Sequence, residues 1–168
     1  MTFRKVTEKE LCDVRALYAS VLGGEFCVWN EFYPGEEELR GDFAAGCLYG
    51  LFDGEELIST VSVVPENELD GFDIWRVRGG HCEIARIAVK KERQGMGLAR
   101  ATVGEMLRVL QKEGKTAVHL SAHEGNLPAL STYKKLGFCQ RGEADLYGGH
   151  YLLLEKILTE GRVDGDQT

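Results

Sequence analysis

The sequence predicts one domain of the α/β or α+β class, in which helices pack on a mixed sheet. A chain of 168 residues can bury a hydrophobic core, and 43% apolar with 28% charged residues is an ordinary globular composition. Segments with helical and with alternating apolar spacing follow one another in the order helix, helix, three strands, helix, strand, helix and two strands. That order, without an internal repeat, favours layers of helix on sheet.

Two helices are expected first. The Thr7-x-x-Glu10 pattern is a capping box, and the apolar residues that follow it at helical spacing predict a helix that ends at Gly23-Gly24. The apolar face of this helix consists of Leu11, Val14, Leu17, Tyr18, Val21 and Leu22. A second, short helix is predicted after Pro34, because three glutamates follow where the helix dipole favours them, and it should end by Gly46.

Three strands are expected in the middle of the chain. Residues 48–52 and 57–64 should form an antiparallel hairpin, because the intervening Asp53-Gly54 favours a tight turn. Residues 66–80 are polar and contain glycine, which predicts an ordered excursion near a site or a short extra strand. The next strand is predicted over residues 82–89.

The second half of the chain continues the alternation. Apolar spacing of about 3.6 residues predicts a helix from Leu98 to Gly114, and residues 116–122 read as a strand. A short helix over 127–136 should follow. Two closing strands are expected at 138–144 and 151–157.

Charge is distributed unevenly along the chain. The net charge of −7 argues against general nucleic-acid binding. Residues 21–70 carry twelve acidic side chains and one basic side chain, Arg40, whereas residues 86–100 carry five basic side chains against Glu92 alone. The second region should therefore attract an anionic ligand that the first would repel.

The location that we expect is cytoplasmic. The N-terminus lacks the apolar region of a secretory signal, and no apolar run is long enough for a membrane span. The five cysteines are odd in number and include no Cys-x-x-Cys pair, so we expect free thiols that are mostly small core residues.

The most informative segment is 83–100, where a strand is followed by a glycine loop that opens into a helix. Backbone N–H groups at such a helix start can bind an anion. A P-loop needs lysine and a hydroxyl residue after its last glycine, but Leu98 and Ala99 follow Gly97. A dinucleotide fold needs a third small residue at the position that Arg100 occupies in this chain. It also needs an acidic residue in the next strand, and the strand predicted over residues 116–122 has none.

The remaining pattern is Gln94-Gly95-Met96-Gly97-Leu98-Ala99, of the form Gln/Arg-x-x-Gly-x-Gly/Ala. With the preceding Arg-Ile-Ala-Val strand and the downstream Asn126-x-x-Ala129-x-x-x-Tyr133, the chain resembles the GNAT superfamily, the GCN5-related N-acetyltransferases, over roughly residues 3–157. The resemblance implies a largely antiparallel mixed sheet of six to seven strands that binds acetyl-CoA where it splays. We expect a GNAT domain over residues 1–158 and a flexible tail over 159–168.

The resemblance also implies how acetyl-CoA is held. The pantetheine arm would pair with backbone groups of Ile87, Ala88 and Val89, and an N–H near Ile87 would polarise the thioester carbonyl. The pyrophosphate would lie on a loop made of Gln94, Gly95, Met96, Gly97, Leu98, Ala99 and Arg100. Asn126 would contact the pantetheine arm, cap the following helix, or do both.

Two side chains are candidates for catalysis. Glu83 lies eleven residues before Gln94, where some family members place a general base, although an ion pair with Arg86 is the simpler alternative. Tyr133 matches the tyrosine that protonates the departing thiolate in many members, and its alternative is packing on an apolar helix face. His123 is the substitute base if Glu83 is misplaced.

A metal site is not expected. His119 and His123 are four residues apart on a predicted strand, and His81 precedes another strand, but no His-Glu-x-x-His helix or carboxylate ligand set accompanies them. Cys82 would carry an acyl group in a ping-pong mechanism, but a buried small side chain is the better interpretation.

The function that follows from the resemblance is transfer of an acetyl group from acetyl-CoA to a primary amine, directly within a ternary complex. The alternative is a catalytically silent CoA-binding or sensing module on the same fold. Trp29, Tyr33, Trp75 and the excess of acidic residues suit a cationic or aromatic amine. The sequence does not distinguish antibiotics, polyamines, amino acids and protein N-termini as acceptors, and it leaves homodimerisation, which is common in the family, open.

Overall fold

The structure, a computed structural model, describes residues 1–64 and 68–158. The predicted tail at 159–168 and residues 66 and 67 of the predicted excursion lie outside the described residues. No helix in the described ranges is long and apolar enough to cross a membrane.

Among the described residues, seven strands form one sheet. In chain order they are β1 (Thr2–Lys5), β2 (Leu48–Asp53), β3 (Glu56–Val64), β4 (Cys82–Val89), β5 (Ala117–His123), β6 (Cys139–Leu146) and β7 (Gly149–Ile157). Their order across the sheet is β1-β2-β3-β4-β5-β7-β6, and neighbours are antiparallel except for the parallel pair β4 and β5. This confirms the predicted mixed, largely antiparallel sheet.

The described part of the chain has four α-helices, which flank the sheet: α1 (Leu11–Val21), α2 (Glu36–Ala44), α3 (Leu98–Lys112) and α4 (Leu127–Lys135). The capping box before α1 is confirmed, because the backbone N–H of Thr7 donates to Oε2 of Glu10 at 2.8 Å. A 3₁₀ turn over Glu8–Glu10 leads into α1.

Each face of the sheet carries its own hydrophobic cluster. Residues of α3 and α4 pack with Val61, Cys82 and Ile84, whereas residues of α1 and α2 pack on the other face. The members of the second cluster include Val14, Leu17, Leu39, Leu48 and Ala88. Since side chains alternate along a strand, Glu83 lies on the face opposite to Cys82 and Ile84.

Within residues 68–80 the excursion contains a 3₁₀ turn, Glu68–Gly71, and no strand, which agrees with the first of the two alternatives expected there. Two other expectations need correction. The predicted element order began with a helix, but β1 precedes it and pairs Phe3 with Leu51. The thiols are free, as predicted, but the expectation that most are core residues is wrong, because only Cys82 is buried.

Candidate active site

The sheet opens between β4 and β5. Only two residue pairs join these strands, Cys82 with Val118 and Glu83 with His119, and the rest of β4 pairs with β3 alone. The later residues of β4 therefore leave one side of their backbone without a strand partner. An extended ligand can add to such an edge through main-chain hydrogen bonds.

A glycine loop lies at the end of this opening. Gly95 and Gly97 have φ of 77° and 75°, in the left-handed region that favours glycine, and Gly97 directly precedes α3. A Cβ at either glycine would meet no atom within 4 Å, so the space beside the loop is open. Leu98 is buried and anchors the loop, while Met96 is exposed. The first N–H groups of α3 are thereby presented to an open surface, which suits an anion.

The basic residues near this loop divide into two sets. Nζ of Lys90 lies 2.5 Å from Oε1 of Glu56, and Nη2 of Arg93 lies 2.7 Å from Oε2 of the same carboxylate. In the part of the chain that the structure describes, Lys91 and Arg100 make no ion pair. Their charge is therefore available to an anionic ligand at the loop.

Side chains from β3 and the loop contact the predicted pantetheine strand, and α3 contacts it through Ser59 of β3. The Ala88 carbonyl accepts a hydrogen bond from Oγ of Ser59 at 2.9 Å, and Ser59 Oγ lies 2.8 Å from Oγ1 of Thr102 on α3. The Val89 carbonyl accepts from Nε2 of Gln94 at 3.2 Å. These contacts tie β4 to the glycine loop and α3, although each carbonyl keeps a second lone pair.

Glu83 lies beside the opening in a largely dry environment. Burial raises the pKa of its carboxyl to about 8, and the negative charges of Asp70 and Glu68 contribute in the same direction. A carboxyl with this pKa exchanges a proton readily near neutral pH, which suits a general base.

The simpler interpretation of Glu83, an ion pair with Arg86, is not what the structure shows. Nε and Nη2 of Arg86 donate to the two carboxylate oxygens of Asp42 at 2.7 and 2.6 Å. Arg86 lowers the pKa of Glu83 only in part, so the net shift stays upward.

Tyr133 has the packing role that was the alternative to catalysis, and the catalytic role stays a prediction. It is buried in the α3 and α4 cluster, with its ring edge-on to Phe138 at a centroid distance of 5.7 Å. Burial raises the pKa of its hydroxyl, so the phenol keeps its proton at neutral pH. Tyr133 packs with the face of the sheet opposite to Glu83.

Asn126 caps a helix. Its side-chain oxygen accepts from the backbone N–H of Ala129 at 3.3 Å, and Pro128 stands in the first turn of α4. The capping role is therefore confirmed, and contact with a pantetheine arm stays a prediction.

His123 is poorly arranged as a base. Its Nδ1 accepts a hydrogen bond from the backbone N–H of Gly125 at 3.0 Å, which leaves Nε2 protonated in the neutral ring. The ring packs edge-on against Tyr151. Since the lone pair is already engaged, Glu83 is the better candidate.

A buried cluster beneath residues 68–81 was not predicted. His119 is fully buried, stacks on Trp75 with centroids 3.9 Å apart, and has Nε2 2.9 Å from Oε2 of Glu155. Burial opposes the charge of Glu155, but hydrogen bonds from Arg141, the Val77 backbone and His119 keep its pKa below the ordinary value. This cluster anchors the segment that carries two of the acids near Glu83.

The same cluster places the carboxylate of Asp70 near His81 and His119, two of the histidines that were considered as metal ligands. Asp70, His81 and His119 could each offer a ligand atom, and these atoms lie within 4.8 Å of one another. The two imidazoles stack with centroids 4.6 Å apart and planes 26° from parallel, so their in-plane lone pairs do not converge on one point. The arrangement suits a structural stack, and the expectation of no metal stays a prediction.

Tyrosines surround the entrance on the Glu83 side. Tyr147 is 71% exposed, so only partial desolvation of its hydroxyl contributes to its raised pKa. Glu68, Glu83 and Tyr33 raise the same pKa further, which places these groups within electrostatic range of Tyr147. Tyr147 packs edge-on against Tyr151 at 5.8 Å. The sequence singled out Tyr33 but not the two tyrosines of the β6–β7 hairpin.

Two aromatic residues that were expected to contact the acceptor have other partners. Trp29 packs edge-on against Tyr18 at 5.3 Å and belongs to the α1 and α2 cluster. Trp75 is buried, and its Nε1 donates to the Leu69 carbonyl at 2.8 Å. Cys82 is also buried, and burial raises the pKa of its thiol to about 11, which disfavours an acyl-carrying thiolate.

Comparison with known proteins gives consistent matches. Residues 14–138 match the Acetyltransferase (GNAT) family. The mycothiol acetyltransferase of Arthrobacter sp. (strain FB24) is 34% identical over 116 residues, which are 66% of this chain and 35% of that protein. The human N-acetyltransferase 8B is 26% identical over 98 residues, 58% of this chain and 40% of that protein. The chain thus spans well under half the length of these relatives.

Solved structures share the fold over nearly the whole chain. A GNAT-family acetyltransferase from Streptococcus agalactiae 2603 superposes with a TM-score of 0.76 at 21% identity, covering 93% of this chain and 94% of that one. A protein from Salmonella typhimurium, solved with its cofactor acetyl-CoA, has a TM-score of 0.73 at 16% identity and covers 95% of each chain.

Proposed function

Because the chain belongs to the GNAT acetyltransferase family, we propose that it transfers an acetyl group from acetyl-CoA to a primary amine, directly within a ternary complex. The observation that carries this proposal is Glu83, a carboxyl with a pKa of about 8 at the last residue pair before β4 and β5 separate. A sensing module would not need a base at that point.

The donor side of the opening fits acetyl-CoA. Ile87, Ala88 and Val89 belong to the part of β4 that pairs with β3 alone, and the backbone groups on its other side would pair with the pantetheine arm. The open loop from Gln94 to Ala99, with Arg100, would hold the pyrophosphate on the N-terminus of α3. Acetyl-CoA needs both the strand and the loop, because its pantetheine arm and its pyrophosphate are parts of one molecule that extends from one to the other.

The chemistry divides among three groups of this chain. When bound, acetyl-CoA supplies an acetyl thioester, whose carbon–sulfur bond breaks as the amine nitrogen forms the amide. Glu83 takes the proton that the ammonium must lose, directly or through a water. The Ile87 N–H donates to the carbonyl oxygen, where negative charge develops. Tyr133, on the other face of the sheet, gives its proton to the departing sulfur, and the second proton that the nitrogen loses on becoming an amide restores the phenol through water.

The acceptor that fits best is a cationic or aromatic amine. Glu68 and Asp70 make the entrance negative and raise the pKa of Glu83. Tyr147 lies within electrostatic range of Glu68 and of Tyr33. Carboxylates attract a cation, and aromatic faces bind ammonium groups and flat rings. A carboxylate-rich acceptor would be repelled from the same entrance.

The experiment is a two-part measurement on the wild-type chain. Calorimetric titration with acetyl-CoA measures donor binding, and release of free CoA thiol measures transfer across a panel of polyamines, aromatic amines, amino acids, peptides and amines related to mycothiol. We expect binding, and turnover that favours cationic or aromatic amines. Tight binding without turnover for any amine would support the sensing module instead, and a preference for acidic acceptors would contradict the proposed acceptor class.

A further inference from the structure

A bulge interrupts β4 just beyond the point where it leaves β5. Arg86 and Ile87 lie together opposite Val61 of β3. The regular pairs on either side are Ser62 with Ala85 and Thr60 with Ala88. Arg86 has φ of 50°, a left-handed conformation that costs an ordinary side chain free energy and that glycine adopts without that cost. Some other interaction must therefore hold Arg86 in this conformation.

The side chain of Arg86 provides that interaction. Its guanidinium forms a two-point ion pair with Asp42 of α2, and the side chains of the two residues are only 12% and 11% exposed. Oγ of Ser62 on β3 donates to Oδ2 of Asp42 at 2.6 Å. The buried, hydrogen-bonded pair of Arg86 and Asp42 thus holds the bulge against α2 and β3. Removing one partner of such a pair is strongly destabilising, because the charge of the other partner stays buried without compensation.

The same guanidinium reaches the acceptor entrance. Nη1 of Arg86 donates to the hydroxyl of Tyr33 at 3.2 Å. Tyr33 lies in the connection between α1 and α2, and it affects the pKa values of both Tyr147 and Tyr151. One side chain therefore joins the bulge to the tyrosines at the entrance.

We propose that Arg86 is a positioning residue that serves both substrates, with its backbone holding the bulge that presents the Ile87 N–H and its side chain holding Tyr33 at the acceptor entrance. This rests on the proposed acetyl transfer, since the N–H matters only if it faces the thioester carbonyl. Asp42 makes both roles compatible, because it binds Nη2 of the guanidinium and leaves Nη1 to donate to the hydroxyl of Tyr33.

The donor half is tested by comparing Arg86→Gly with Arg86→Ala. Both remove the guanidinium, but only glycine accepts φ near 50° without strain, so the bulge should persist in the glycine variant. We expect Arg86→Ala to have a kcat about five- to tenfold below that of Arg86→Gly. Because either change leaves the buried carboxylate of Asp42 without its cationic partner, each is also made with Asp42→Asn, and thermal unfolding confirms that the compared proteins fold.

The acceptor half is tested with Tyr33→Phe, which removes only the hydroxyl. We expect the KM for the best amine to rise about fivefold, because one hydrogen bond is lost. The kcat and the calorimetric Kd for acetyl-CoA should stay unchanged. Arg15→Ala is the matched control, because Arg15 also pairs with a carboxylate of α2, Glu36, but in an exposed position, and its kinetics should match wild type.

The inference is overturned if folded Arg86→Ala and Arg86→Gly have equal kcat, or if Tyr33→Phe leaves the KM for the amine unchanged. The acetyl-CoA titration separates this result from a failure of the proposed function. If the wild-type chain neither binds acetyl-CoA nor acetylates any amine, acetyl transfer itself is wrong. If wild type is active and the variants do not differ as stated, only the role of Arg86 is wrong.

Discussion

Glu83 and Arg86 lie on the same strand three residues apart, yet they are not partners, because the guanidinium of Arg86 is bound to both oxygens of Asp42. The carboxyl of Glu83 is left to its buried surroundings, and its pKa is raised to about 8. Arg86 therefore offsets this upward shift only in part, and a carboxyl with a raised pKa lies beside the opening of the sheet.

The first prediction concerns pH dependence. A base must be deprotonated to accept a proton, so kcat/KM should rise with pH and level off above the pKa of Glu83, about 8. Glu83→Gln should lower kcat/KM by about 10²–10⁴-fold and remove this dependence. Rate measurements from pH 6 to 10 test it, and a variant with the wild-type pH profile would show that another group is the base.

The second prediction concerns the acids around Glu83. The negative charge of Asp70 raises the pKa of Glu83, so Asp70→Asn should move the rising part of the pH profile to lower pH. Asp73→Asn is the matched control, because Asp73 lies in the same segment but pairs with Arg78 at the surface. Equal shifts in the two variants would mean that general surface charge, rather than Asp70 itself, acts on Glu83.

The third prediction concerns Tyr133. Replacing it with phenylalanine keeps the ring against Phe138 and removes only the proton donor, so kcat should fall by about 10²-fold while the Kd for acetyl-CoA stays nearly constant. Stopped-time assays and calorimetry measure the two quantities. Unchanged turnover would assign Tyr133 to packing alone.

The fourth prediction concerns the glycine loop. Gly97→Ala places a Cβ at φ of 75°, which should cost about 1–2 kcal/mol of stability and also weaken acetyl-CoA binding. Gly114→Ala at the other end of α3 has φ of 79° and equally open surroundings, so it carries similar strain without touching the loop. Only Gly97→Ala should change the Kd. If both weaken binding alike, the effect is one of stability and the loop is not the binding site.

The fifth prediction concerns stability. Hydrogen bonds from Arg4 lower the pKa of Glu10 to about 2, and the Thr7 N–H adds to this effect. Since the folded pKa is depressed, the stabilisation is complete above the unfolded value of 4.5 and is lost as pH falls toward 2. Glu10→Gln should cost about 1 kcal/mol at pH 7, after allowance for the exposure of Arg4.

Urea unfolding at pH 7 and pH 3 tests this prediction. The difference between wild type and Glu10→Gln should shrink at pH 3, because Glu10 of the unfolded chain is then protonated and part of the stabilisation is lost. Glu8→Gln, in the same turn and exposed, should have little effect at either pH. A difference that is equal at both values would mean that the charge of Glu10 contributes nothing.

Elements with strong local signals were predicted well from the sequence. The strand Cys82–Val89 has the predicted bounds, and the capping box at Thr7 and the turn at Asp53-Gly54 were found where local chemistry requires them. The strand Thr2–Lys5 was missed because it has four residues and one apolar side chain, Phe3. Its strand conformation depends on pairing with β2, which no local pattern reveals.

The candidate site was predicted where it follows from one continuous segment. The glycine loop and Glu83 belong to residues 83–100, so their proximity is local. The partners of Arg86 and His119, Asp42 and Glu155, are distant in sequence, and only the sheet brings them together. Trp75 looked like an acceptor contact because it is aromatic and lies in a polar segment, but stacking on His119 draws it into the interior.

The most direct test of acetyl transfer at the β4–β5 opening is a single-turnover experiment with acetyl-CoA labelled in its acetyl group, mixed with excess chain and the best amine of the panel. We predict that the label passes to the amine, that none is trapped on the protein, and that Glu83→Gln slows the transfer. Label that remains on acetyl-CoA with every amine, or that first appears on a cysteine, would contradict direct transfer.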